Sequence, residues 1–202
     1  VTVNNKLAKL GDQAEEKDII AVNGKPIPKP EVFVYIILNK PKGVVTTVTE
    51  SHGMKTVRDL IPIKERIFPV GRLDRDTTGL LILTNDGILT QKLTHPSHEI
   101  QKTYHAVLDM PLEDLDSKKL SAGIIIEGRK VSVSAIKTNK NEVTVTIHEG
   151  RKHIIKRLFL SLGYTVKELS RLSIGNLQLG KLKPGEWRHL KREELILLST
   201  PG

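Results

Sequence analysis

The chain contains no cysteine and few aromatic residues. Among its 202 residues, Phe, Trp and Tyr together make up only 3%. The absence of cysteine excludes a disulfide framework, a thiolate metal site and a thiol nucleophile, and it fits a reducing compartment. Because aromatic residues are scarce, Leu, Ile and Val must supply the hydrophobic core.

Long hydrophobic runs are also absent. The longest, at 36–38 and 79–83, are far shorter than the roughly 20 apolar residues that a membrane-spanning helix needs. The sequence also has no recognisable signal peptide. We therefore expect a cytoplasmic protein without membrane association.

Basic residues are distributed unevenly along the chain. Lys and Arg number 32 against 23 Asp and Glu, which gives a net charge of +9. Residues 151–192 hold 11 Lys and Arg and 2 Glu, and elsewhere 21 basic residues balance 21 acidic ones. This excess predicts a surface that binds a polyanion, although a solvated basic face is an alternative that charge alone leaves open.

A proline-rich connector divides the chain into two parts. Two short strand-like runs come first, and the second ends at the turn signal Asn23-Gly24. Three alternating prolines follow, Pro26, Pro28 and Pro30. Such a run disfavours both helix and central strand and is typical of an extended connector. We therefore predict a partial small domain over residues 1–30 and a larger domain over residues 31–202.

The larger part alternates strands with short helices. The hydrophobic pattern predicts strands at 32–39, 79–84, 99–110, 131–137, 143–148, 164–169 and 172–177. It predicts a helical turn at 56–61 and helices at 87–93, 112–122, 151–162 and 193–198. Because there is no regular βαβ rhythm, we predict an α+β fold with a mixed, largely antiparallel sheet and peripheral helices.

Residues 71–79, reading GRLDRDTTG, place acids, arginines and threonines between two apolar runs. A polar loop between buried strands commonly carries function. Three interpretations fit: a turn in which an Asp caps the backbone, a metal-binding loop, or a catalytic carboxylate held by arginine. An ionised carboxylate in a closed pocket can act as a nucleophile or a base.

The sequence argues against a metal ion in this loop. The segment from Asp74 matches the start of a calcium-binding loop, but its twelfth position is Asn85, where a bidentate Glu is required. His95 and His98 have no partner at metal-ligand spacing. Serine-hydrolase and P-loop motifs are absent as well. We predict no metal site, which leaves a structural turn or a catalytic carboxylate.

The longer segment at 71–87, reading GRLDRDTTGLLILTNDG, resembles the pseudouridine synthases that modify small-subunit and large-subunit ribosomal RNA. Three further matches agree in order and spacing: NKPKG at 39–43, KTY at 102–104, and EGRKH at 149–153 running into Lys156 and Arg157. The resemblance covers roughly residues 32–198 and implies the pseudouridine synthase catalytic fold. Ile154 stands where this family usually has Gln. Residues 1–24 resemble the last part of an S4 domain, which implies a partial S4-like RNA-binding segment.

The resemblance also implies roles for individual residues. Asp74 would be the catalytic aspartate, Tyr104 the tyrosine that stacks on the target base and assists proton removal, and Lys156 the basic residue that pairs with Asp74. From position alone, Tyr104 would be an ordinary strand aromatic with its hydroxyl at the surface, and Lys156 a solvated helix residue. Arg72 is expected to position the flipped nucleotide, with a structural salt bridge as the alternative. The other expected RNA-binding residues are Arg151, Lys152, Arg157 and Arg171.

The implied reaction is the isomerisation of a uridine in RNA to pseudouridine. The bond from ribose to N1 breaks and a bond to C5 forms, so no cofactor is required. A paired base must first leave the helical stack at a cost of a few kcal/mol, which phosphate contacts from the basic segment would offset. Asp74 could attack ribose C1′, attack C6 of the base or abstract a ribose proton, and the sequence leaves these routes open.

The run LGKLKPGEWR at 179–188 resembles the large-subunit members of this family, so 23S ribosomal RNA is the predicted substrate and 16S the alternative. A second class of function is a non-catalytic RNA-binding or ribosome-assembly factor with the same basic surface. A glycoside hydrolase would need a second catalytic carboxylate, and the neighbouring Asp76 is expected to cap the loop instead. We expect a monomer whose partner is ribosomal RNA or an assembling ribosomal subunit.

Overall fold

The computed structural model describes residues 1–9, 14–15, 18–27, 32–49 and 53–199. The chain forms two compact units, Val1–Phe33 and Val34–Gly202. The predicted boundary between residues 30 and 31, together with Pro28 and Pro30, lies outside the described residues.

The first unit is a small antiparallel sheet. Its four strands are β1 (Thr2–Val3), β2 (Lys6–Leu7), β3 (Ile20–Val22) and β4 (Lys25–Pro26), in the order β2-β1-β3-β4. The predicted turn between β3 and β4 is confirmed, because Val22 pairs with Lys25 across it. Asn23 and Gly24 have φ values of 51° and 74°, as a two-residue hairpin turn requires. That this unit is a partial S4 domain stays a prediction.

The second unit contains eleven strands and four helices in its described residues. The strands are β5 (Tyr35–Lys40), β6 (Phe68–Pro69), β7 (Thr78–Thr84), β8 (Lys102–Leu108), β9 (Ile124–Ile126), β10 (Arg129–Val131), β11 (Val133–Asn139), β12 (Glu142–Ile147), β13 (Val166–Ile174), β14 (Leu177–Gln178) and β15 (Trp187–His189). The helices are α1 (Gly87–Thr94), α2 (Asp114–Ala122), α3 (Ile154–Leu160) and α4 (Arg192–Ser199). Two single 3₁₀ turns lie at Arg58–Leu60 and Pro96–His98. No helix among the described residues is long and apolar enough to cross a membrane.

Nine of these strands form the central sheet. Seven follow the order β11-β12-β8-β13-β7-β5-β15, while β14 pairs with β13 and β6 with β7. Every pairing is antiparallel except that of β7 with β13. The remaining two strands, β9 and β10, make a separate hairpin. The predicted α+β fold with a mixed, largely antiparallel sheet is confirmed.

Helices cover both faces of this sheet. Along β7, Leu81 and Leu83 belong to one buried cluster, and Leu80 and Ile82 belong to another. The first cluster includes side chains of α2 and α3, and the second includes side chains of α1 and α4. Because alternate residues of a strand point to opposite faces, the apolar run of β7 is buried on both sides, between two helical layers.

The structure corrects several predicted elements. The predicted strands 164–169 and 172–177 are one continuous strand, β13, which carries irregularities in its pairing with β8. Helix α3 is shorter than the predicted 151–162, because His153 at its N-cap adopts a left-handed backbone conformation. The β9–β10 hairpin and β15 were not predicted, since strands of three residues give almost no periodic signal.

The parallel contact between β7 and β13 depends on one glycine. Gly79 pairs with Arg171 across the two strands and has a φ of 103°. A Cβ atom at this position would lie 2.3 Å from the carbonyl oxygen of Arg171. The strands can therefore approach each other only because residue 79 has no side chain. This junction fixes the start of β7, directly after the loop at 71–77.

Candidate active site

A cleft of about 660 Å³ opens beside this junction. Most of its lining comes from the loop at 71–77, from β8 and β13, and from residues 148–155. These segments are separated by tens of residues in the chain, so the sheet topology brings them together. Asp74 and Tyr104 both line this cleft.

A buried lysine underneath holds the loop that carries Asp74. Lys40, at the end of β5, is fully buried. Its Nζ atom donates hydrogen bonds to the carbonyls of Pro41, Arg75 and Thr77, at 3.0, 3.3 and 2.8 Å. Three carbonyl oxygens from two segments thus converge on a single ammonium group. Lys40 thereby fixes the backbone on the C-terminal side of Asp74.

The buried position of Lys40 changes the pKa of its side chain. Burial lowers the pKa of its ammonium group to about 8, while the negative charges of Asp76 and Asp74 act in the opposite direction. Both carboxylates are therefore close enough to influence Lys40. The loop therefore carries two carboxylates, those of Asp74 and Asp76, near the buried ammonium group of Lys40.

The segment after Lys40 adds further anchors to the same loop. Thr46 Oγ1 donates to the Leu73 carbonyl at 2.7 Å and accepts from the Leu73 amide at 3.2 Å. The amide of Gly43 donates to the Arg75 carbonyl at 2.8 Å. The backbone is thus held immediately before and after Asp74. Such anchoring restricts the carboxylate to a narrow range of positions.

The carboxylate of Asp74 contacts a histidine. Its Oδ1 atom lies 3.1 Å from Nε2 of His153, and its side chain is 28% exposed. No hydrogen bond or ion pair within the described chain involves its Oδ2 atom, so that oxygen can accept a hydrogen bond from a ligand. His153 has φ 55° and ψ 23°, a conformation that costs a residue with a Cβ about 1–3 kcal/mol. Strained backbone of this kind is common at functional sites.

Lys156 does not make the predicted contact with Asp74. Its Nζ atom instead lies 2.5 Å from Oδ2 of Asp76. This hydrogen bond and the nearby positive charge lower the pKa of Asp76, against the effect of partial burial. Asp76 is thus an ion-pair partner of α3, a contact that the sequence did not predict, and its role as a loop cap stays a prediction. His153, one turn earlier in the chain, takes the position beside Asp74.

Tyr104 lies on the floor of the cleft. It is 93% buried on β8, where it pairs with Arg171 of β13 on one side and Val145 of β12 on the other. The role in base stacking that the resemblance implies for Tyr104 stays a prediction. The apolar part of the lining consists mainly of Leu73, Ile100, Ile154, Ile155, Leu169 and Ile174. Ile154, which stands where this kind of motif usually has Gln, is therefore an apolar residue of the cleft wall.

Two predicted RNA-binding arginines already have protein partners. Arg151 contacts both carboxylate oxygens of Glu149, at 2.5 and 3.1 Å, and donates to the Ile126 carbonyl at 2.8 Å. Arg157 forms an ion pair with Glu127. Since Ile126 and Glu127 belong to the β9–β10 hairpin, both arginines tie this hairpin to the start of α3. The predicted RNA-binding role of Arg151 and Arg157 stays a prediction.

The other three predicted RNA-binding residues differ in exposure. Arg171 is only 3% exposed and forms part of the cleft floor. Arg72 and Lys152 are exposed and line the cleft, and their side chains make no hydrogen bond or ion pair within the described chain. Within the predicted set, only Arg72 and Lys152 are both exposed and part of the cleft lining.

Sequence reasoning missed Lys40 and His153 as site residues. Both lie in quoted motifs, NKPKG and EGRKH, but nothing in the local pattern shows that they contact the same loop. A lysine that ends a run of buried strand residues is the one signal that could have marked Lys40. Among the described residues there is also no group of three His, Asp or Glu side chains arranged to hold a metal ion.

Comparison with known proteins agrees with this geometry. The RNA pseudouridylate synthase family matches residues 34–161, which include the loop at 71–77, Tyr104 and α3. The chain belongs to this family. It is therefore an RNA pseudouridine synthase, an isomerase that acts on RNA, and the predicted family and enzyme class are confirmed.

Relatives of this synthase extend the match over almost the whole chain. An uncharacterised RNA pseudouridine synthase of Aquifex aeolicus is 42% identical over 207 residues, covering 98% of this chain and 83% of the relative. The dual-specificity RNA pseudouridine synthase RluF of Shigella flexneri is 37% identical, covering 97% of this chain and 68% of that protein. A pseudouridylate synthase crystal structure has a TM-score of 0.77 at 33% identity and covers 98% of this chain and 87% of its own.

Proposed function

We propose that this synthase converts a specific uridine of ribosomal RNA to pseudouridine, with Asp74 as the catalytic group. The observation that carries the assignment is the position of Asp74. It is the carboxylate of a loop anchored by Lys40 and Thr46, it lines the cleft, and one of its oxygens has no partner within the described chain. A carboxylate that only capped a turn would need no cleft beside it.

The cleft suits a nucleotide that has left the helical stack. An apolar wall beside Tyr104 can receive the face of a base, and base–aromatic stacking contributes roughly 1–3 kcal/mol. This gain offsets part of the cost of flipping a base. Tyr104 would stack on the uracil, while Arg72 and Lys152 at the cleft mouth would contact the backbone of the flipped nucleotide.

The chemistry requires only groups that the chain supplies. The N1–C1′ bond breaks, the uracil turns within the cleft, and a C5–C1′ bond forms. C5 then loses its proton and N1 gains one, so the product is an isomer of the substrate. Asp74 would act as a nucleophile or base at the start, with His153 holding one of its oxygens at 3.1 Å. The apolar lining keeps water away from the detached base, so the base is recaptured instead of lost.

The substrate and setting extend the same proposal. The C-terminal run at 179–188 favours 23S ribosomal RNA, with 16S as the alternative. The similar protein RluF is named a dual-specificity enzyme, so RNA mapping should include RNA other than ribosomal RNA as well. We further propose that the synthase acts as a monomer in the cytoplasm, on free RNA or an assembling ribosomal subunit.

Pseudouridine mapping tests this proposal. Ribosomal RNA incubated with the protein or with Asp74→Asn would be labelled with carbodiimide and read by primer extension. We expect one new stop in 23S RNA with the native protein and none with the variant. Because the amide preserves the shape of the carboxylate, RNA binding by Asp74→Asn should remain within about twofold of native.

Other outcomes of this experiment contradict different parts of the proposal. A stop in 16S or in another RNA would correct the substrate and leave the role of Asp74 intact. Equal stops with both proteins would exclude Asp74 as the catalytic group. Tight RNA binding without a stop in any ribosomal RNA would favour a non-catalytic assembly factor over a ribosomal RNA synthase.

A further inference from the structure

Two cations, Lys102 and Arg171, share the floor of the cleft with Tyr104. Lys102 and Tyr104 are alternate residues of β8, so their side chains point to the same face of the sheet. Arg171 lies directly opposite Tyr104 on β13. All three residues line the cleft. Two positive charges therefore flank the tyrosine on which the target base is proposed to stack.

The two side chains are incompletely satisfied by the protein. Lys102 Nζ donates to the Ile100 carbonyl at 3.0 Å, and Arg171 Nε donates to the Leu80 carbonyl at 2.8 Å. Arg171 is 97% buried, and its Nη2 atom has no acceptor in the described chain. Neither cation forms a salt bridge with any described carboxylate.

The electrostatics of the pair differ from those of Lys40. Burial and then the positive charge of Arg171 lower the pKa of Lys102 to about 8. Lys40 is also buried, but it has three carbonyl acceptors and the attraction of Asp74 and Asp76. Lys102 and Arg171 instead repel each other, and a buried charge without a counter-charge is costly. An anion between them would remove that cost.

We propose that Lys102 and Arg171 bind a phosphate group of the RNA strand next to the target uridine. This inference rests on the proposed function, because the phosphate enters the cleft with the flipped nucleotide. A guanidinium offers a planar set of donors and an ammonium a compact charge, and both suit phosphate oxygens. A neutral carbonyl of a base could accept a hydrogen bond from Nη2 of Arg171. It would not compensate the repulsion between Lys102 and Arg171, because it carries no negative charge.

A thermodynamic cycle with neutralised RNA linkages tests this site. The RNA is an oligonucleotide containing the mapped uridine, with a methylphosphonate at the 5′ or the 3′ linkage of that uridine. Binding is measured in the Asp74→Asn background, so that no RNA is consumed, with and without Lys102→Met. Lys118→Met on α2 is the matched control, since Lys118 is exposed and does not line the cleft.

We expect one of the two methylphosphonates to weaken binding by about tenfold, as the loss of a charged hydrogen bond predicts. Lys102→Met should weaken binding of the unmodified RNA by a similar factor and should be insensitive to that methylphosphonate. Lys102→Arg should recover the sensitivity, and Lys118→Met should behave as the parent protein. Circular dichroism verifies that each variant is folded.

Independent losses would overturn the inference. If Lys102→Met and the methylphosphonate each weaken binding and their effects multiply, the lysine does not contact that phosphate. If neither methylphosphonate weakens RNA binding by the parent protein, Lys102 and Arg171 bind no phosphate next to the target uridine, whatever the variants show. Pseudouridine formation by native protein on the unmodified oligonucleotide separates this failure from a failure of the proposed function.

Discussion

At the scale of the residue, the position of Asp74 depends on groups outside the cleft lining. Lys40 lies beneath the loop and gathers three carbonyl oxygens, two of them within the loop itself. A displacement of about 1 Å in a catalytic group can cost about 100-fold in rate. A buried lysine on a neighbouring strand can therefore matter to the reaction as much as a residue in the cleft.

Lys40→Met should lower pseudouridine formation by about 100-fold, because the carbonyls of Arg75 and Thr77 lose their common donor.

The contribution of Lys40 to the free energy of unfolding should also depend on pH. The pKa of Lys40 is about 8 in the folded protein and 10.5 as a free side chain, so the unfolded chain binds more protons between these values. Native stability therefore gains up to about 1.4 kcal/mol per pH unit in this window, a gain that the variant lacks.

Urea denaturation at pH 7.5 and pH 9.5 measures this difference. The destabilisation caused by Lys40→Met should be larger at the higher pH. Lys42→Met is the control, since Lys42 is exposed two residues further along and should give the same difference from native at both pH values. A Lys40 variant with full activity would contradict the anchoring role.

At the scale of the element, the cleft depends on how β7 meets β13. This is the one parallel pairing of the described central sheet, and it places the end of the 71–77 loop beside β13. A second junction joins the β9–β10 hairpin to the start of α3, through the contacts of Arg151 and Arg157. Elements from distant parts of the chain thus form one site through two local junctions.

Gly79→Ala should destabilise the protein strongly. The added Cβ would collide with the Arg171 backbone, and the φ of 103° would itself cost about 1–3 kcal/mol in a residue with a side chain. We expect a loss of more than about 2 kcal/mol in the free energy of unfolding, together with a large loss of activity. Thermal and urea denaturation would measure the first effect.

Gly87→Ala provides the matched control for this prediction. Gly87 begins α1 after the cap residue Asp86, and a Cβ there meets no atom within 4 Å. Alanine in a helix should leave stability unchanged or raise it by up to about 1 kcal/mol. If both variants are equally stable, the close approach of β7 and β13 does not require glycine.

At the scale of the whole molecule, carboxylates outside the segment 151–192 neutralise part of the basic excess of that segment. Several cations of the segment 151–192 are paired with carboxylates: Arg151 with Glu149, Lys156 with Asp76, Arg157 with Glu127, and Arg188 with Glu194. The RNA-facing charge should therefore come from unpaired cations near the cleft, such as Arg72 and Lys152.

Lys152→Gln should weaken RNA binding and reduce the salt dependence of the affinity. Each contact with a single-stranded phosphate contributes about 0.7 to the slope of log K against log salt concentration, so the slope should fall by about that amount. Arg188→Gln is the control, because Arg188 belongs to the same basic segment but is held by Glu194 at 2.7 Å. An equal fall in both slopes would show that net charge, and not position, sets the affinity.

The sequence predicted the fold class and the loop that carries Asp74 because local residue patterns indicate both. Apolar runs of β5 and β7 mark buried strands, and acids between two glycines mark a polar turn. It predicted the elements of α3 and β13 with wrong bounds, because the left-handed His153 and the irregular pairing of β13 have no periodic signature. The role of Tyr104 came only from the family resemblance.

By itself, then, the sequence determined the family, the type of fold and a single aspartate as the candidate catalytic group. Tertiary structure decided which cations meet which carboxylates. His153 lies beside Asp74, Lys156 pairs with Asp76, and Lys40 lies beneath the loop. The physical reason is that hydrogen bonds and ion pairs act over a few ångströms, so a partner is chosen by where the sheet and α3 place each side chain. Spacing along the chain carries no record of that placement.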